Sequence, residues 1–97
     1  MTIANEILKQ LGGNRFITMT GAKNLIDAGE GLRFAIPNSN GINRVEITLE
    51  PGDTYRVTFT KLNARLGTIR IVHTVGNVYC DQLQELFTNQ TGLYTKF

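Results

Sequence analysis

One cysteine, one histidine, two prolines and no tryptophan occur among the 97 residues, and these shortages exclude much chemistry. A single thiol, Cys80, leaves no internal disulfide and no multi-cysteine zinc site, and it suits a reducing compartment. His73 and Cys80 lie in different elements, so base and nucleophile are not paired. His73 is expected to be a partly buried structural residue, sharing a strand face with Ile69 and Ile71. Cys80 is expected to be a buried, inert thiol. Asp27, Asp53 and Asp81 stand singly, and no glycine-rich phosphate-binding pattern is present. The chain is therefore expected not to be an enzyme and to need no cofactor or metal.

Long apolar runs are also missing. No stretch approaches the roughly 18 apolar residues of a membrane span, and Met1–Glu6 has neither the basic start nor the apolar run of a signal peptide. A cytoplasmic protein without a membrane partner is the expectation. Charge is sparse as well: 19% of residues are charged, and ten Lys/Arg against eight Asp/Glu leave a net charge of +2. That imbalance is too small to imply nucleic acid, so the placement of the charges must decide.

What is present is alternation. Val45, Ile47 and Leu49 alternate with Arg44, Glu46 and Thr48, and Tyr55, Val57 and Phe59 alternate with Arg56, Thr58 and Thr60. A period of two puts the apolar residues on one face and the polar ones on the other. Between these runs Pro51 presets φ and Gly52 supplies φ > 0, as a type II turn requires. The stretch reads as a β-hairpin.

Taken in order, Thr2–Leu11 reads as a short helix with Ile3, Ile7, Leu8 and Leu11 on one stripe, Thr2 as N-cap and Gly12-Gly13 as its stop. Asn14–Gly21 is rich in β-formers and reads as a strand, with either Phe16 or the pair Ile17 and Met19 inward. Residues 22–30 read as one helical turn or a wide connection, pinned by Leu25 and Ile26. Gly31–Pro37 reads as a strand that the proline ends, and Asn40-Gly41 as a turn. Gly67–Val75 reads as a strand with Ile69 and Ile71 opposed to Arg70, broken by Gly76-Asn77. Val78–Gln90 reads as a helix with Tyr79, Leu83, Leu86 and Phe87 on one stripe, Asn77 or Asp81 at its start and Gly92 at its end. Leu93, Tyr94 and Phe97 form an apolar tail. The expected fold is a single α+β domain over residues 1–97. Its antiparallel sheet of about five strands carries an N-terminal and a C-terminal helix on one face.

The other face is then solvent-exposed, with an arginine on each of four strands: Arg33, Arg44, Arg56 and Arg70. If these strands pair in order, the guanidiniums form a band interleaved with threonines, suited to phosphate or carboxylate. An ordinary solvated face with ion pairs to Glu46 is the competing reading. The band lacks the aromatics on which single-stranded nucleic acids stack.

Leu11–Leu25, Asp53–Phe59 and Asp81–Tyr94 resemble segments of small proteins carried by bacteriophages, prophages and conjugative elements. The resemblance implies a mobile-element origin and action by binding, and it supplies no catalytic residues. The expected function is a non-enzymatic binding protein. One concrete form is an anti-CRISPR-like antagonist that sterically blocks a bacterial defence complex. The expected partner is a host or phage protein complex. The alternative is a nucleic-acid-binding accessory protein using Arg33, Arg44, Arg56 and Arg70. Sheet edges with little lysine or proline leave a dimer open.

Overall fold

The computed structural model describes residues 3–93; the expected N-cap Thr2 and the tail residues Tyr94 and Phe97 lie outside them. Two helices, α1 (Ile3–Leu11) and α2 (Asn14–Thr20), precede five strands: β1 (Lys23–Asp27), β2 (Gly31–Ser39), β3 (Ile42–Glu50), β4 (Thr54–Asn63) and β5 (Thr68–Val78). A 3₁₀ turn (Cys80–Gln82) leads into α3 (Leu83–Thr91). The strands form one antiparallel sheet in the order β1-β2-β3-β4-β5. The expected α+β class therefore holds, with one helix more and a different first strand.

Asn14–Thr20 is a helix, not a strand. Gly12 and Gly13 both have positive φ and end α1, and Gly21 closes α2 in the left-handed conformation, donating its N–H to the Ile17 carbonyl at 3.0 Å. Within that seven-residue span Phe16 and Thr20 are buried while Asn14, Arg15 and Thr18 are exposed. The buried pair sits four residues apart, as on one helix face. β-propensity spans only about 1 kcal/mol across residue types, so burial of Phe16 overrides it. The Phe16 ring meets Phe34 of β2 edge-on at 5.3 Å and Phe87 of α3 at 5.2 Å between centroids. The Thr20 hydroxyl, also buried, donates to the Phe16 carbonyl at 2.7 Å and accepts the Ala22 N–H at 3.2 Å.

The strand that Asn14–Gly21 fails to provide comes from residues 22–30. β1 pairs with β2 through Lys23, Ile26 and Asp27, and Leu25 packs on the core, whereas Ile26 is exposed. Two expected strand ends also move. Pro37 does not end β2, because the pairing slips between Ala35 and Ser39 and a residue without an N–H is accommodated there. Gly76-Asn77 does not break β5. It forms an irregularity between the pairs Val57↔Val75 and Tyr55↔Val78, with Asn77 at φ 55°.

The turns are closer to expectation. Asn40 and Gly41 both have positive φ (53° and 75°), as a two-residue type I′ hairpin requires. Gly52 has φ 95°, as a type II turn needs, and Asp53 adds a second left-handed residue at φ 63°. Glu50 and Thr54 close that loop as a pair.

The core lies between the helices and the inner sheet face: Ile7 and Leu11 of α1, Phe16, Leu32, Phe34 and Ile36 of β2, Val45 and Ile47 of β3, Tyr55, Val57 and Phe59 of β4, and Leu83 and Phe87 of α3. The C-terminal helix starts later than expected. Tyr79 has extended backbone and is exposed, so it leaves the apolar stripe, which runs through Leu83, Phe87 and Thr91. Gly92 ends α3 as a left-handed cap.

One polar side chain ties β3 to β4 near the open end of the sheet. The Asn43 amide accepts the Leu62 N–H at 2.7 Å and donates to the Leu62 carbonyl at 2.8 Å. Asn43→Ala removes both bonds from a half-buried site. It is expected to cost about 1–2 kcal/mol in urea unfolding and to speed amide exchange at Leu62.

Candidate functional site

Cross-strand pairs in an antiparallel sheet point to the same side, so the pairing defines rows across the outer face. One row is Ile26, Arg33, Glu46, Thr58 and Thr74; the next is Lys23, Ala35, Arg44, Thr60 and Ile71. A third joins Gly31, Thr48 and Arg56. Arg33, Arg44 and Arg56 thus share the outer face, as expected.

Arg70 does not join them. Phe59 pairs with His73 but Thr60 pairs with Ile71, so β5 carries one extra residue, Val72, at that point. This bulge reverses the facing of β5 on its two sides. Arg70 pairs with Lys61 on the inner side, while Ile69 and Ile71 pair with Leu62 and Thr60 on the outer side. Both isoleucines were expected inward; they are 63% and 65% exposed. His73 falls opposite to Ile69 and Ile71 rather than beside them, and it is exposed rather than partly buried. Cys80, expected to be buried, is also exposed.

Two of the three remaining arginines have carboxylate partners. Arg33 Nε lies 3.6 Å from Glu46 Oε2, and Arg56 Nε donates to Glu50 Oε1. These pairs are about half-exposed, so they add little stability, and each engages its arginine through Nε. Arg44, half-buried in the next row, has no ion pair among the described residues. It borders a hollow of about 270 Å³ also lined by Arg33, Val45, Glu46, Thr58, Thr60, Ile69 and Ile71. The hollow offers one unopposed guanidinium, two hydroxyls and an apolar wall. That combination suits a carboxylate carried on an apolar support.

Beyond the helices the β4–β5 hairpin continues as a two-sided ribbon. Its outer side carries Leu62, Ile69 and Ile71, and its inner side carries Lys61 and Arg70. Leu66, 70% exposed, sits in the connecting loop, which is held by the Asn63 side chain accepting the Leu66 N–H at 3.2 Å. Residues 54–80 contain Arg56, Lys61, Arg65 and Arg70 and no Asp or Glu. That charge segregation was readable from the sequence. The apolar exposure was not, because it depends on the bulge at Val72.

No group of three or more His, Cys, Asp or Glu side chains among the described residues is placed to hold a metal ion. Tyr55, whose phenol is pushed up by burial, belongs to the inner core. No helix among the described residues is long and apolar enough to cross a membrane. Comparison with known families, with curated proteins and with solved structures returned no match in any of the three.

Proposed function

We propose that the protein is a non-enzymatic binding protein that covers a surface of a partner protein. In the mobile-element setting that its sequence resembles, steric blocking of a bacterial defence complex is the concrete form. The observation that carries this reading is the outer end of the sheet, where exposed Ile69 and Ile71 stand beside the unopposed Arg44. Clustered exposed aliphatic side chains beside one guanidinium without an ion pair suit a protein surface better than a polyanion.

Nucleic acid is the second reading, favoured by the absence of acids over residues 54–80. The two separate by salt dependence. Four cations on phosphates, as Arg56, Lys61, Arg65 and Arg70 would supply, would lower affinity about 150-fold between roughly 50 and 200 mM salt, whereas one would lower it only about threefold to fourfold. The expected result is negligible binding of random-sequence duplex or single strands at low salt. The positive arm is a complex with a host or phage protein, reconstituted from purified components at fixed stoichiometry. Ile69→Asp/Ile71→Asp should abolish that complex without changing the thermal midpoint. Steep salt-dependent binding to nucleic acid would replace this reading with the second.

A further inference from the structure

The sheet has two edges, and they differ. β1 is five residues long, with Asn24 in the left-handed conformation and its pairing interrupted between Lys23 and Ile26. Such an edge is blunted against a further strand. β5 is eleven residues long, contains neither proline nor lysine, and pairs only with β4. Its first segment, Thr68–Ile71, pairs regularly with Asn63–Thr60 and presents its other edge to solvent. Backbone N–H and C=O groups on such an edge are a template for another strand.

The side chains beside that edge specify what would pair there. Ile69 and Ile71 project outward, whereas Thr68 and Arg70 project inward, with Lys61 in the same row as Arg70. A strand laid alongside would alternate between an apolar neighbour and a cationic one. A second copy of this chain brings the same cations, because residues 54–80 contain no acid, so charge opposes pairing of β5 with itself.

We propose that β5 accepts, as a sixth strand, an extended segment of a partner protein in which apolar and acidic residues alternate. The apolar residues lie against Ile69 and Ile71, and the acidic ones face Arg70 and Lys61. Main-chain hydrogen bonds supply the pairing, and the alternation sets its register. The proposal rests on the protein-binding reading above and names the chemistry of that partner.

The test uses the full chain and a labelled peptide of about eight residues with alternating valine and glutamate. Controls are a valine–lysine peptide and a valine–glutamate peptide N-methylated at every residue. The glutamate peptide should bind at least about tenfold more tightly than the lysine peptide at low salt. It should shift the amides of Thr68–Ile71. N-methylation should abolish binding, since it removes the main-chain donors and leaves charge and apolar surface in place. Lys61→Glu/Arg70→Glu, both at solvent-accessible positions, should reverse the preference in favour of the lysine peptide.

Binding that survives N-methylation, or shifts confined to the hollow beside Arg44, would overturn strand addition. So would a free chain that dimerises through β5, or no peptide binding at about 1 mM. If the peptide fails while the reconstituted protein complex forms, strand addition falls and the protein-binding reading stands. Steep salt-dependent binding to nucleic acid would remove both.

Discussion

Phe16→Ala is expected to lower the unfolding free energy by about 3–5 kcal/mol, the range for removing a buried aromatic ring. Domains of this size are stabilised by roughly 5–15 kcal/mol in total, so the variant should lose a large fraction of its stability. The ring is fully buried and lies between Phe34 of the sheet and Phe87 of α3, edge-on to both. Its loss therefore removes the contact that joins α2 to the two layers it bridges. Urea unfolding followed by circular dichroism should show a lower midpoint at an unchanged slope. Phe16→Leu should retain much of the stability, because it keeps most of the apolar volume. A cost below about 0.5 kcal/mol for the alanine variant would mean that Phe16 is a surface residue, as on an exposed strand.

Gly31→Ala is expected to cost about 3 kcal/mol, the upper end of overpacking penalties, and to lower the thermal midpoint by on the order of 10–20 °C. Gly31 is buried at the start of β2, paired with Thr48. A Cβ there would lie 2.0 Å from the Ile47 carbonyl oxygen and 2.9 Å from the Thr48 Cα. Both obstacles are backbone, so no rotamer change relieves the clash and β2 must move away from β3. The neighbouring bonds, Ala28 N–H to the Gly31 carbonyl at 3.0 Å and Leu49 N–H to the Glu30 carbonyl at 2.8 Å, leave little room for that movement. Amide exchange should quicken first at Ala28 and Leu49. Gly29→Ala, two residues away, meets no atom within 4 Å and pays only for its left-handed φ of 84°. It should cost about 1 kcal/mol, so the pair separates crowding from conformation.

The legible parts of the fold share a cause. The β3–β4 hairpin declares itself because its alternation and its Pro-Gly turn agree, and the structure pairs Glu50 with Thr54 around that turn. The stripe of Ile7 and Leu11 and the closing glycines of α1 and α3 were similarly plain. Each of these signals is local and is repeated by a second one. Asn14–Thr20 lacked that agreement. Its residue types favour a strand, its bracketing glycines suit either element, and only the spacing of Phe16 and Thr20 points to a helix.

Alternation and turn chemistry in the sequence determined that this chain forms a mainly antiparallel sheet with helices against one face. They also placed Arg33, Arg44 and Arg56 together on the other. Tertiary structure alone decided how β5 is presented. One extra residue at Val72 moves Arg70 to the inner side and turns Ile69 and Ile71 outward. A bulge is a property of two paired strands, since it exists only where one strand has a residue more than its partner. No period within β5 can reveal it. The expected band of four arginines therefore becomes a face with one unopposed guanidinium and an apolar wall, beside an open strand edge.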